Sequence, residues 1–158
     1  MRLLHDVHIE KLIYGGYGLS HVEGKSLMVD YALPGERVDV EILKEKKDYM
    51  LGRAKRVLVA SPERREAPCK YYGLCGGCQL QHMDYLAQVR AKENMLLETI
   101  ERIGKINIDS LGPSLYSEEF GYRVKAQLKV ENSSVGFYER QSHNLVEIDQ
   151  CLLLHPLI

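Results

Sequence analysis

Between residues 1 and 60, apolar residues alternate with polar ones in short runs separated by turns rich in glycine and proline. This period-two pattern predicts β-strands. In the clearest run, Val38, Val40 and Ile42 alternate with charged residues, so one face would pack and the other would meet water, as in an antiparallel sheet. The pattern predicts five strands, enough for a small all-β barrel, at residues 3–12, 18–22, 26–31, 37–43 and 52–59.

The pattern changes after residues 62–68, a segment that begins and ends with proline and carries a run of charged residues. We interpret it as a domain boundary, with one domain at 1–62 and another at 63–158. From 84 to 103 the apolar residues recur at helical spacing, with Asp84 able to cap the start and Gly104 the end. We expect the apolar stripe of this helix to be core, and it comprises Leu86, Val89, Leu96, Leu97, Ile100 and Ile103.

Strands are predicted again at 122–130, 135–138 and 145–149. The second domain is therefore predicted to be a small α/β (α+β) unit with an antiparallel sheet and one long helix. In the first of these strands, the even-numbered positions are apolar or aromatic and are expected to pack inward. The odd-numbered positions form a cationic, hydrogen-bonding row: Arg123, Lys125, Gln127 and Lys129.

The chain ends on CLLLHPLI, which is mostly apolar. A domain seldom ends on an uncovered apolar run. We therefore expect these 158 residues to be the N-terminal part of a longer protein.

The composition, 45% hydrophobic and 27% charged, is that of an ordinary globular protein and excludes a disordered chain. A net charge of -1 gives no global attraction to nucleic acid, so any basic surface must be local. No apolar run is long enough to cross a membrane, and the charged N-terminus is unlike a signal peptide, so we expect a cytoplasmic protein without a membrane partner. We interpret His5, His8, His21 and His82 as surface or satisfied histidines.

Candidate chemistry is concentrated in the cysteines, three of which lie within residues 69–78, with the fourth at position 151. The glycine pair between Cys75 and Cys78 would let the loop fold tightly around a bulky centre. Four thiolates suit a single centre whose positive charge offsets theirs, because bare thiolates packed together would repel one another and take up protons.

The spacing C-x5-C-x2-C followed by a distant cysteine leaves the centre open between zinc and an iron–sulfur cluster. It matches neither the paired short knuckles of structural zinc sites nor the spacing of bacterial ferredoxins. A disulfide between Cys75 and Cys78, buried thiols and a thioredoxin-like C-x-x-C remain alternatives. The last ranks lower, because a proline-bounded loop precedes it rather than a βα turn.

Several longer motifs are more specific: GGYG at 15–18, YALPGERVDVEI at 31–42, Lys46-Lys47, Pro68-Cys69, CGGCQLQHMDYLAQVRAKENML at 75–96, YRVKAQ at 122–127 and GFYERQSHNLVEIDQC at 136–151. Through them, essentially the whole chain resembles the S-adenosylmethionine-dependent RNA uracil-C5 methyltransferases that carry a TRAM domain and a 4Fe-4S cluster. Many members have Asn where this chain has Val124.

The resemblance implies a TRAM barrel of OB type, a central α/β domain and, in the longer protein, a Rossmann-like domain that binds S-adenosylmethionine. It also implies that Cys69, Cys75, Cys78 and Cys151 bind the 4Fe-4S cluster. No cysteine would then remain to attack uracil, and no glycine-rich strand-to-helix turn is present to hold the cofactor. We therefore expect this chain alone to be inactive.

RNA is the expected partner, and 23S ribosomal RNA is favoured over transfer RNA, because some tRNA-acting relatives lack the barrel and the cluster. Residues 37–65 hold nine Lys or Arg against five Asp or Glu, on a barrel type that often binds single strands. Of the candidate contacts, Phe137 would be either a stacking platform or a core residue. The full set is Lys46, Lys47, Arg53, Lys55, Arg123, Lys125, Gln127 and Phe137.

We expect the full-length protein to be a monomer. A competing hypothesis is a non-enzymatic RNA-binding module with a structural four-cysteine zinc site.

Overall fold

A computed structural model describes residues 2–158. Six strands form the first sheet, in the order β1-β5-β6-β4-β3-β2. All neighbours are antiparallel except β4 and β6, which pair in parallel from Ser26 with Tyr49 to Asp30 with Arg53. The strands are β1 (Arg2–His8), β2 (Lys11–Ile13), β3 (Tyr17–Val22), β4 (Lys25–Asp30), β5 (Arg37–Glu45) and β6 (Tyr49–Val59).

The sheet curls into a barrel-like shape, because β1 and β2 stand at opposite ends of the strand order yet are separated in sequence only by Ile9 and Glu10. The two edges must therefore meet. Ile9 is fully buried, and its N–H donates to the Glu36 carbonyl oxygen at 2.9 Å. The Glu10 N–H donates to the Leu19 carbonyl oxygen at 2.8 Å, which ties the crossing to β3.

The predicted barrel is confirmed, and the alternation in β5 reports its packing correctly. Val38 and Val40 are fully buried, and Ile42 packs against the same core. The single strand predicted at residues 3–12 was wrong, because the chain leaves β1 after His8 and begins β2 at Lys11. The core of the barrel consists of Val7, Ile9, Leu27, Val29, Ala32, Val38, Val40 and Met50.

The second part of the chain holds one helix and an antiparallel sheet in the order β7-β8-β9, as predicted. The helix is α1 (Tyr85–Thr99), which continues into a π-helical turn, Ile100–Gly104. Asp84 precedes α1, although its side chain makes no capping hydrogen bond. The strands are β7 (Lys129–Glu131), β8 (Ser134–Tyr138) and β9 (Leu145–Glu147). No helix among residues 2–158 is long and apolar enough to span a membrane.

A second, smaller core joins the barrel to α1. Leu12 and Leu33 of the barrel side pack against Met83 and Ala87, and all four side chains are buried. Each large apolar side chain buried in this way stabilises the junction by about 1.5–3 kcal/mol.

The expectation that the apolar stripe of α1 is core was wrong for much of its length. Leu86, Leu96 and Ile103 are exposed, whereas Ala87 and Gln88 are the buried residues of the helix. The covered face of α1 is instead the side of Ala87 and Ala91, which packs against the core of Leu12, Leu33 and Met83.

The predicted strand at 122–130 was also wrong, because only Lys129–Glu131 joins a ladder. Strand β8 is five residues long and pairs with β7 alone on that side, so residues 122–128 are not part of this sheet. Arg123 instead forms an isolated parallel bridge with Leu154. The positions expected to pack inward are exposed, including Tyr122, Val124 and Leu128. The alternation of apolar and polar residues predicted a face that could pack, but it could not predict which other residues would cover that face.

Candidate metal centre and nucleic-acid interface

The four cysteines line one cavity of about 80 Å3. Three come from residues 69–78, which we call the cysteine loop, and Cys151 approaches from the segment after β9. All four are free and half-buried. The other residues of the cavity wall include Tyr72, Gln81, Arg123, Phe137, Ile148 and Leu153.

The four thiols that line the cavity fit a metal centre bound by cysteine. Thiolates are the usual ligands both of structural zinc and of iron–sulfur clusters, so the donor set suits either centre. Within residues 2–158, no three His, Cys, Asp or Glu side chains are arranged as a site for a single metal ion.

Gly76 lets the cysteine loop lie directly on the second sheet. Its N–H donates to the Tyr138 carbonyl oxygen at 2.9 Å. A Cβ atom here would stand 2.8 Å from the Arg140 nitrogen and 2.9 Å from the Tyr138 oxygen, and neither backbone atom can yield. Cys75 forms an isolated antiparallel bridge with Glu139 beside this contact.

Asp149 ties the other side of the cysteine loop to the segment that delivers Cys151. Its carboxylate accepts hydrogen bonds from Lys70 Nζ and from the Tyr71 hydroxyl, each at 2.6 Å. The Asp149 N–H in turn donates to the Tyr71 oxygen at 3.0 Å. These contacts hold the segment of Cys151 against the cysteine loop, although 72 residues lie between Cys78 and Cys151 in the sequence.

The buried side chain of Gln81 supports two of the cysteines. Its Oε1 accepts from the Cys69 N–H at 3.3 Å. Burial raises the pKa of the Cys78 thiol, a hydrogen bond with Gln81 opposes that rise, and the neighbouring cysteines add to it. Burial likewise raises the pKa of Cys75, whose sulfur accepts from the Gly77 N–H at 3.4 Å. A cationic centre would offset the mutual repulsion of these sulfurs.

His82 lies behind the cysteine loop and is only 3% exposed, so its interpretation as a surface or satisfied histidine was wrong. The Tyr72 hydroxyl donates to the Gln79 carbonyl oxygen at 2.7 Å, so we assign the His82 hydrogen to Nδ1, which donates to the Tyr72 oxygen. Nε2 is buried without a partner. The other interpreted histidines, His5, His8 and His21, are exposed as expected.

His82 should make the protein less stable as the pH falls below neutrality. Burial, and then the Arg64 charge, lower its pKa from 6.5 to about 4, although Glu36 opposes the effect. Between these values the unfolded chain binds a proton that the folded chain does not, so unfolding becomes easier. The expected loss is about 2 kcal/mol between pH 7.5 and pH 5. Urea unfolding of the wild type and His82→Asn across this range measures it.

Only the pH dependence, not the absolute stability, is diagnostic in that comparison. His8→Asn, at an exposed position with no ion pair within residues 2–158, is the matched control for removing an imidazole. Equal slopes for His82→Asn and the wild type would show that His82 does not titrate in this way.

Glu36 is a fully buried charge that the sequence did not single out. Burial opposes its ionisation, but hydrogen bonds from Arg64 and from the N–H groups of Leu33 and Ser61 hold its pKa below the usual value. Arg64 Nη2 also donates to the Tyr31 carbonyl oxygen at 2.8 Å. The pair thus fastens residues 61–64 to the turn at 33–36. A glutamate in a Pro-Gly turn reads as an ordinary surface residue, so no signal in the sequence marked it.

The structure separates the predicted RNA contacts into two groups. Lys46 and Lys47 are exposed between β5 and β6, and Lys125 and Gln127 are exposed in the irregular segment before β7. Lys55 is exposed and lies 3.1 Å from Glu41 Oε2.

The other three predicted contacts lie inside the protein's own framework. Arg53 is half-buried, with its guanidinium 5.6 Å from the centre of the Tyr31 ring. Arg123 and Phe137 line the cysteine cavity. The predicted cationic row is therefore not a continuous strand surface, because residues 122–128 form no ladder and Arg123 turns toward the cavity.

Residues 5–55 match the TRAM domain family. An uncharacterized RNA methyltransferase of Aquifex aeolicus is 48% identical over 95% of this chain and 36% of its own length. The 23S rRNA (uracil(1939)-C(5))-methyltransferase RlmD of Methylococcus capsulatus is 40% identical over 96% of this chain and 35% of its own length. The chain thus spans about a third of the length of these curated relatives.

A solved structure is also similar, that of the Pyrococcus abyssi tRNA (uracil-54, C5)-methyltransferase in complex with S-adenosyl-L-homocysteine. It superimposes with a TM-score of 0.63 and 27% sequence identity, covering 97% of this chain and 33% of that one.

Proposed function

Because the chain belongs to the family of TRAM-domain RNA methyltransferases, we propose that it forms the RNA-recognition and iron–sulfur portion of an S-adenosylmethionine-dependent RNA uracil-C5 methyltransferase. The observation that carries the proposal is the meeting of Cys69, Cys75, Cys78 and Cys151 around one cavity. A barrel that only binds RNA would not require four cysteines to converge in this way.

The four thiols would hold a 4Fe-4S cluster, which supplies a rigid covalent crosslink between the cysteine loop and the segment after β9. Methyl transfer to uracil requires no electrons, so a structural role is the simplest one. Gln81 would orient the ligands at Cys69 and Cys78, and Leu153 and Phe137 would exclude water from the sulfurs.

Uracil C5 is a weak nucleophile, and enzymes of this class activate it by adding a cysteine thiolate to C6. Every cysteine of this chain lines the cavity, so none is left for that step. We therefore assign the nucleophile and the S-adenosylmethionine pocket to parts of the protein outside these 158 residues. The chain alone would bind RNA without methylating it.

The exposed lysines between β5 and β6 are the RNA contacts that the geometry supports best. Lys46 and Lys47 have no carboxylate within salt-bridge distance in the described residues, unlike Lys55. Such lysines neutralise phosphates and make affinity depend on salt. Lys125 and Gln127 form a second exposed group. We favour ribosomal RNA as the substrate, because the relative from Methylococcus capsulatus is named for 23S rRNA.

Anaerobic purification followed by metal and sulfide analysis tests the proposed centre. We expect iron and acid-labile sulfide in equal amounts, about four of each per chain. Stoichiometric zinc without sulfide would favour the alternative RNA-binding module and overturn the iron–sulfur assignment.

RNA recognition is tested separately with the variant Lys46→Ser/Lys47→Ser. Its affinity for a 23S rRNA fragment should fall. The negative slope of log affinity against log salt concentration should become shallower by about 1–2. The matched control is Lys70→Ser, which removes a lysine that pairs with Asp149. An unchanged slope for the double variant would exclude this surface, and stronger binding of tRNA than of the rRNA fragment would overturn the preference for ribosomal RNA.

A further inference from the structure

One turn of the barrel, residues 15–18, rests directly against the cysteine loop. The motif Gly15-Gly16-Tyr17-Gly18 contributes to the family resemblance but has no part in the proposed chemistry. A Cβ atom on Gly16 would stand 2.9 Å from the Cβ of Gln79, so only glycine fits there without movement. Gln79 directly follows Cys78, and its Nε2 donates to the Gly76 carbonyl oxygen at 2.9 Å. The barrel therefore contacts the loop through the residue next to a cysteine.

Arg140 reaches the same turn from the second sheet. Its Nη2 donates to the Gly15 carbonyl oxygen at 2.8 Å, and its guanidinium carbon lies 4.1 Å from the centre of the Tyr17 ring. Nη1 lies 3.2 Å from Asp30 Oδ1 at the end of β4. The side chain is only 12% exposed, so this is a partly desolvated cation held by the barrel. Next to it, Gln141 Nε2 donates to the Tyr17 hydroxyl at 2.6 Å.

The backbone of Arg140 is in turn part of the seat of the cysteine loop. Gly76 packs on it with no room for a side chain, and the Cys75 bridge to Glu139 lies one residue away. Arg140 therefore contacts the loop with its main chain and the barrel with its guanidinium.

We propose that Arg140 is a positioning residue that makes the placement of the RNA-binding barrel depend on a loaded cysteine site. The inference rests on the proposed function, which supplies the centre and the RNA. The cysteine loop contains turns and isolated bridges but no helix or strand, so a bound centre would help to hold its shape. When the loop loosens, Gly76 and Gln79 leave their positions. The barrel then keeps its attachments along Glu36–Arg64, the ion pair of Lys11 with Glu98, and the core of Leu12 and Met83.

The test uses the whole chain, purified anaerobically, and two variants, Arg140→Met and Tyr17→Leu. The second variant is needed because Arg140→Met also leaves Asp30 without this cation. Neither residue touches the cavity. Three quantities are measured: iron and sulfide per chain, hydrogen exchange of the amides at 15–18, and affinity for a 23S rRNA fragment. Arg90→Met, which removes an exposed arginine paired with Glu63 on neither the loop nor the 15–18 segment, is the matched control.

We expect both variants to keep the wild-type iron content, to exchange the 15–18 amides at least about tenfold faster, and to bind RNA more weakly. Arg90→Met should leave the exchange unchanged. Cys78→Ser, which removes a ligand, should show the same fast exchange as Arg140→Met. Wild-type exchange in Arg140→Met and Tyr17→Leu would overturn the role of Arg140.

Wild-type exchange in Cys78→Ser would overturn the dependence on loading. A protein that binds no iron at all would instead refute the proposed function, and the exchange of Arg140→Met would still decide whether Arg140 places the barrel.

Discussion

Replacing Cys151 by serine is expected to abolish binding of the proposed iron–sulfur centre and to unfold the cysteine loop while leaving the barrel intact. Cys151 is the one sulfur that comes from outside the loop, so its loss removes the link between the loop and the segment after β9. The expected result is a loss of nearly all iron and sulfide and a loss of protection from hydrogen exchange at 69–78. Destabilisation should exceed about 3 kcal/mol, which is a large effect for one substitution.

The matched control is Tyr71→Phe, which removes the hydrogen bonds to Asp149 but keeps all four thiols. It should retain iron and lose only a small part of the stability. Full iron content in Cys151→Ser, together with a protected loop, would mean that Cys151 is not a ligand.

The second large effect is expected from Arg64→Met. This change leaves the fully buried Glu36 carboxylate without its cationic partner, while the N–H groups of Leu33 and Ser61 remain. Uncompensated buried charges of this kind cost about 3–5 kcal/mol. The pKa of Glu36 is lower in the folded protein than in the unfolded chain. The ionised carboxylate therefore stabilises the fold at pH values above the unfolded pKa, and this stabilisation is lost as the pH falls through the folded pKa. The damage from Arg64→Met should therefore lessen as the pH is lowered and Glu36 becomes protonated.

Urea unfolding at pH 7 and pH 5 measures this effect. The double variant Arg64→Met/Glu36→Leu should recover much of the loss, because no charge remains buried. Arg37→Met serves as the control, since its pair with Asp6 is exposed on both sides and should matter little. A loss in Arg64→Met no larger than in Arg37→Met would show that the buried pair does not fasten the turn.

Local alternation was enough to predict the barrel, because β5 carries its packing face in its own sequence. Val38 and Val40 alternate with charged residues, so the sequence of this one strand identifies which of its faces is buried. The parallel pairing of β4 with β6 had no such signal, since it depends on how the chain returns after β5. Glu36 and Arg140 were missed for the same reason, because each acts on a partner far away in sequence.

The same reasoning failed at residues 122–130 and along α1. There the apolar positions are real, but most of them find no surface in the described residues to pack against. Convergence of the four cysteines was expected from the family resemblance, whereas spacing alone left the centre open. The failures arose where contacts between residues distant in sequence decide which side chains are covered.

The central place of β6 also constrains the order in which the protein can form during synthesis. Strand β6 pairs with β4 on one side and β5 on the other, so no earlier strand can complete the barrel in its absence. Once residue 59 has left the ribosome, the barrel can close, while Cys151 has yet to be translated. The proposed centre needs all four cysteines, so it would form on a chain whose barrel can already be folded. Gly16 and Tyr17 would then be in place for the later residues to pack against.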